Sequence, residues 1–270
     1  MRCIGKRLCR ECQTRQGERT IFEPPRLRLT VPPIPEADGI SLFLDLDGTL
    51  LDLVDRPDDV VADEALRTLL LRLADRLEGR LALVSGRSIA QMDAILGPVA
   101  DRLALSGSHG SEHRWRGVTA HPIRPRGLNE ARERLRAFAE GRDGVLVEDK
   151  SFGVALHYRM APDVEKEAQA LADILADTLD LVVQPGKMMT ELRLPGGDKG
   201  KALLMLMDRA PMQGTLPWFL GDDATDEPGF AAARSLGGAG VLVGHREPTA
   251  AIHALPDPDA VRGWLGRLAQ

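Results

Sequence analysis

Cysteine is missing from nearly the whole chain: Cys3, Cys9 and Cys12, the three present, all fall near the start of 270 residues. Disulfides therefore do not hold the body together. Cys9-x-x-Cys12 has no second pair with which to complete a zinc site, so a reduced tail is the plainer reading. Aromatic residues are scarce, at 4%, and the formal net charge is -5. Neither favours a base-stacking surface or a general attraction to nucleic acid or anionic membrane. No apolar run nears the roughly 20 residues of a membrane-spanning helix. His121, His157, His245 and His253 show no metal-binding spacing. The expectation is a cytoplasmic protein without nucleic-acid or membrane partners, a monomer by default.

What is present is ordinary globular composition, 43% hydrophobic and 28% charged, on a chain long enough for one large domain or two modest ones. Residues 1–36 are basic, lack the apolar centre of a signal peptide, and are broken by Pro24-Pro25, Pro32-Pro33 and Pro35. They are expected to form a loosely ordered extension. The apolar run Ile40 to Leu44 then opens an alternation of buried strands and amphipathic helices, including leucines at 66, 69, 70, 73 and 77 on one helical face. Near-continuously apolar strands alternating with helices predict a parallel sheet covered on both sides. Between about 119 and 194 the rhythm becomes helix-strand-strand, twice, before the first rhythm returns. The sequence thus predicts an α/β protein: a parallel-sheet core over 37–118 and 195–270, with an inserted α+β cap over 119–194.

The polar residues that carry chemistry follow the apolar segments: Asp45 and Asp47, Ser85 and Arg87, Lys199, then Asp222, Asp223 and Asp226. One such cluster is a helix cap or a solvated turn; several on the same edge of a parallel sheet are hard to explain that way, because ligands gather outside the carboxyl ends of such strands. Carboxylates with a lysine and hydroxyls suit Mg²⁺, a hard ion that takes oxygen ligands, and suit zinc poorly. Asp223 and Asp226 also read as caps for a helix beginning near Glu227. Thr49 and Ser85 offer hydroxyls to a phosphate, or cap the next helix. Arg87 binds phosphate or closes a domain interface by an ion pair. His109 is either a satisfied structural histidine or a substrate contact.

Asp45-Leu-Asp47-Gly-Thr-Leu, Ser85-Gly-Arg87, Lys199 and Gly221-Asp-Asp-Ala-Thr-Asp-Glu227 together resemble the four-motif signature of haloacid-dehalogenase-like phosphohydrolases. With Gly107-Ser-His109-Gly-Ser-Glu112, Val147-Glu-Asp-Lys150, His157-Tyr-Arg159 and Pro185-Gly-Lys187-Met-Met-Thr-Glu191, the set is similar to the trehalose-6-phosphate phosphatase family. The resemblance covers roughly Ser41 to Gly244 and leaves the basic extension outside. It implies a Rossmannoid core with a specificity cap. It further implies hydrolysis of trehalose 6-phosphate through an aspartyl-phosphate on Asp45, with Asp47 as acid then base. Mg²⁺ would be held by Asp45, the Asp47 carbonyl and Asp222, supported by Asp223 and Asp226. Lys199, Arg87, Ser85 and Thr49 would meet the phosphate, and Glu148, Lys150, Glu191 and His109 the sugar. Competing readings are the same chemistry on another glycosyl phosphate, such as sucrose 6-phosphate or mannosyl-3-phosphoglycerate, and a noncatalytic sugar-phosphate sensor.

Overall fold

The computed structural model describes residues 29–53, 60–115, 117–121 and 123–270. The three cysteines and Pro24-Pro25 fall outside the described residues. The first strand, β1 (Ile40–Leu44), is buried along its whole length, as its unbroken apolar sequence requires. It lies at the centre of an eight-stranded sheet of order β12-β11-β10-β1-β2-β3-β4-β5. Here β2 is Leu81–Val84, β3 Ala104–Gly107, β4 Glu112–Trp115, β5 Val118–Ala120, β10 Leu216–Gly221, β11 Ala239–Val243 and β12 His253–Leu255. The strands from β12 to β3 run parallel, and β4 and β5 turn back antiparallel.

Side chains alternate across this sheet and so build two cores. Leu42 and Leu44 pack with α1 (Glu64–Leu77), α2 (Ile89–Leu96) and α7 (Pro258–Leu268) on one face. Phe43, between them, packs with Phe219 and with α5 (Lys199–Met207) and α6 (Glu227–Ser235) on the other. The chain leaves β1 toward β2 on one side and returns to β10 on the other. The crevice at that reversal, between the tips of β1 and β10, is where an open parallel sheet accepts ligands.

Three features differ from the sequence reading. The β4–β5 hairpin, too short and polar to announce itself, belongs to the large sheet, so the insert begins after β5 and not at 119. The three-residue edge strand β12 was not anticipated. Residues 29–36 are docked: Thr30 bridges His253 in parallel, and the indole N–H of Trp264 donates to the carbonyls of Pro32 and Pro33, 3.2 Å from each. A buried indole needs such an acceptor.

The insert is a four-stranded antiparallel sheet of order β6-β7-β9-β8, made of β6 (Leu146–Asp149), β7 (Gly153–His157), β9 (Met189–Arg193) and β8 (Val182–Gly186). Val154, Leu156 and Leu192 lie under α3 (Arg126–Ala139) and α4 (Glu165–Leu179). The alternate residues therefore take the opposite, helix-free face. Register aligns Glu148, Ala155, Glu191 and Gln184 in one row across that face, and His157, Met189 and Gly186 in the next.

Arg80 ties α1 to the entry of β1. Its guanidinium donates to the carbonyls of Leu77, Ala37, Asp38 and Ile40 at 2.6–3.0 Å while the residue is 7% exposed. Replacing it removes the guanidinium donors from four carbonyls at once. Arg80→Ala is expected to cost about 2–4 kcal/mol in urea unfolding, and a loss below about 0.5 kcal/mol would show the clamp to be idle.

Candidate active site

The tips of β1 and β10 carry the acids. Leu44 pairs with Leu220, so Asp45 follows β1 directly and Asp222 follows the end of the adjacent β10 at Gly221. Gly48 lets them approach: its φ is +75°, and a Cβ there would run into the Asp222 carboxylate. Lys199 is the first residue of α5, behind the N-cap Asp198, whose side chain accepts from Lys201 N at 2.7 Å. Its Nζ lies 2.9 Å from Asp45 Oδ1 and 2.7 Å from Asp226 Oδ1. Asp226 Oδ2 accepts the backbone N–H groups of Asp222 and Asp223 at 3.0 and 3.1 Å. Asp226, fully buried, thus holds the lysine with one oxygen and the Asp222 loop with the other.

Burial and crowding dominate the electrostatics. Burial, only partly offset by Lys199, pushes Asp45 well above the usual carboxylate range. Burial with the neighbouring Asp226 and Asp223 charges lifts Asp222 to about 7, and burial lifts Asp226 to about 6 against the pull of Lys199. Burial works against the Lys199 charge, but Asp226 and Asp45 outweigh it and raise its pKa. One carboxylate oxygen from each of Asp45, Asp222 and Asp226 lies within 4.8 Å of the others. Crowded acids whose charge is costly, all offering oxygen, fit a hard divalent cation such as Mg²⁺.

The other candidates take clear places. Arg87 grips the Asp47 carboxylate with two bonds, Nε to Oδ2 at 2.6 Å and Nη2 to Oδ1 at 2.8 Å. This ion pair joins two loops of the core and not core to insert. Asp223 caps the turn after it, accepting from Thr225 N and Oγ1 at 2.8 and 2.6 Å. Ser85 Oγ accepts from Arg87 N at 3.2 Å and faces the cleft. It does not cap α2: Ser88 does, in a reciprocal capping box with Gln91. Thr49 is fully buried, its hydroxyl lacks a hydrogen-bond partner among the described residues, and it is not among the residues lining the cleft.

Above these tips the helix-free face of the insert closes a cleft of about 520 Å³, within the usual range for small-molecule sites. Lys150 Nζ donates to Glu191 Oε2 at 2.6 Å and stands 4.0 Å from Glu148 Oε2. Glu191 has room because Gly153 lacks a Cβ that would meet its carboxylate. Burial opposes the charge on Glu148, but His157, Lys150 and Gln91 hold its pKa down to about 2. His109, in a left-handed conformation at φ 53°, stacks over Gly86 and lies 3.9 Å from Glu191 Oε2. Burial drops its pKa to about 4, so it is neutral at pH 7. Gln91, His157 and Arg246 join the site without having been chosen from sequence. Gln91 and Arg246 lie outside every motif, and His157 stands in the His157-Tyr-Arg159 stretch, which by itself gives no site role to its imidazole.

The raised acids make stability without metal depend on pH. Asp222 and Asp226 hold protons when folded that they release near pH 4 when unfolded, so stability falls as pH rises from about 4 through 7. In chelator, the melting temperature is expected to fall between pH 5.5 and pH 8. Asp222→Asn is expected to flatten that fall, and Mg²⁺ to raise the melting temperature more at pH 8 than at pH 5.5. A slope unchanged in the variant would contradict this electrostatic picture.

The sequence family described as trehalose-phosphatase matches residues 43–259. The trehalose-6-phosphate phosphatase of Escherichia coli (strain K12) is 37% identical over 86% of this chain and 89% of its own. The crystal structure of a trehalose-6-phosphate phosphatase related protein, 26% identical, aligns with a TM-score of 0.74 over 85% of this chain and 96% of that one. A haloacid dehalogenase-like hydrolase from Bacteroides thetaiotaomicron, 17% identical, aligns with a TM-score of 0.61 over 86% and 99% of the two chains, which shows a common fold. A match that takes in both halves of the core and the insert between them means that this chain belongs to the trehalose-phosphatase family, on a haloacid-dehalogenase-like fold.

Proposed function

We propose that this chain is a Mg²⁺-dependent trehalose-6-phosphate phosphatase in which Asp45 attacks phosphorus and Asp47 moves the protons. The observation that carries the reading is one cleft with two unlike walls: Asp45, Lys199 and Asp222 at the strand tips, and Glu148, Lys150 and Glu191 on the facing sheet. The first wall suits a phosphate and the second a neutral polyol, because carboxylates accept hydrogen bonds from sugar hydroxyls and a lysine donates them.

Asp45 is the acid best placed to be the nucleophile, since Lys199 Nζ fixes one of its oxygens at 2.9 Å and leaves the other to attack. Splitting hydrolysis into two displacements through an aspartyl-phosphate lowers each barrier. Asp47 protonates the departing sugar oxygen and then takes a proton from the water that releases phosphate, because the second step reverses the proton demand of the first. Arg87 aims Asp47 in the free enzyme, and an arriving phosphate dianion competes for the same guanidinium fork. Lys199 and Arg87 offset the charge repulsion between an anionic nucleophile and an anionic ester. Mg²⁺ held by Asp45, Asp222 and the Asp47 carbonyl would supply further charge neutralisation of the phosphate oxygens. Asp226 supports that site by fixing Lys199 and the Asp222 loop, and Ser85 is the hydroxyl that the cleft presents to phosphate. Closure of the insert would shed bulk water and assemble the sugar contacts around the matching substrate.

A panel of sugar phosphates tests the reading. Phosphate release is expected to favour trehalose 6-phosphate over sucrose 6-phosphate, mannosyl-3-phosphoglycerate and glucose 6-phosphate, and to stop in chelator. Asp45→Asn is expected to lose at least about 10³-fold in kcat. Equal turnover across the panel would overturn the substrate assignment, and sustained turnover by the variant would overturn the nucleophile.

A further inference from the structure

Glu148 is held from two different parts of the fold. Its Oε1 accepts a hydrogen bond from Gln91 Nε2 at 2.8 Å, and its Oε2 lies 2.9 Å from His157 Nε2. Glu148 is ionised at neutral pH, so it only accepts and His157 Nε2 must carry the hydrogen. Gln91 stands in the first turn of α2, on the core. Its own Oε1 accepts from Ser88 N at 2.9 Å as half of the capping box, which anchors it there. His157 ends β7, inside the insert. Ala155 is directly opposite Glu148, and His157 lies two residues further along the same strand, so both side chains rise from one face.

The two contacts respond differently when insert and core move relative to each other. His157 and Glu148 occupy neighbouring strands of one small sheet and travel together. Gln91 stays with the core. A carboxylate with one oxygen fixed presents its other oxygen in a defined direction, as discrimination between sugar hydroxyls requires. Resting on the reading of Glu148 as a sugar-facing acid, we propose that His157 is a positioning residue for sugar recognition. It holds Glu148 Oε2 wherever the insert stands, while Gln91 occupies Oε1 only until a substrate hydroxyl takes its place. Without the imidazole, Glu148 is free to fall onto Lys150, already 4.0 Å away. Two sugar-reading groups would then be spent on each other.

Steady-state kinetics of the full chain with Mg²⁺ separate this from a structural role, using trehalose 6-phosphate and p-nitrophenyl phosphate, which has no distal sugar. His157→Leu is expected to raise KM for trehalose 6-phosphate about tenfold with kcat within about twofold, and to leave p-nitrophenyl phosphate hydrolysis unchanged. His157→Gln, which keeps an N–H donor, is expected to recover most of the loss. The proposal is overturned if His157→Leu leaves KM unchanged or if it harms both substrates alike. A parent enzyme that prefers another sugar phosphate overturns the substrate assignment alone, and the His157 comparison is then made on that substrate.

Discussion

A single buried ammonium organises this protein's chemistry. Lys199 sits between Asp45 and Asp226 with almost no solvent contact, and each acid is answerable to a different element. Asp45 ends β1, the central strand. Asp226 grips the backbone after β10, where Asp222 is carried. The lysine therefore couples the two strand tips and the start of α5. A buried ion pair of this kind contributes little net stability when intact, yet breaking it costs about 3–5 kcal/mol because a charge is stranded. Under the proposed mechanism the same charges would hold Asp45 in line for attack, which a hydrophobic replacement would not do.

The insert answers a different requirement with the same economy. Four short strands present alternate residues to two environments, leucines and valines under the helices and polar side chains over the cleft. The row from Glu148 through Ala155 and Glu191 to Gln184 places a small residue between two acids, and Lys150 spans the space between them. On the proposed reading, sugar recognition depends on strand register: a one-residue slip would turn Glu191 under the helices and Leu192 into the cleft.

Much of this was legible in the chain. The run Ile40 to Leu44 announced a buried central strand, and Asp45 and Asp222 fell at strand ends because apolar stretches stop there. The helix-strand-strand rhythm revealed the insert and its one-sided helices. Less visible was whatever depended on long-range partners or short polar segments. The β4–β5 hairpin and β12 have too few residues for a periodic signal. That Ser88 and not Ser85 caps α2, that Arg87 pairs with Asp47, and that Gln91 and His157 share Glu148 are matters of side-chain direction, which spacing does not encode. Thr49 shows the reverse case: it stands in a recognisable motif, yet it is fully buried and does not line the cleft.

The proposed chemistry turns on Asp45, held by Lys199 at 2.9 Å, forming a covalent bond to phosphorus. Rapid acid quench of the enzyme during turnover of trehalose 6-phosphate with Mg²⁺, followed by digestion and mass spectrometry, would reveal that bond. One phosphate is expected on the peptide containing Asp45, attached at that residue. Phosphate on another side chain during turnover would contradict that assignment.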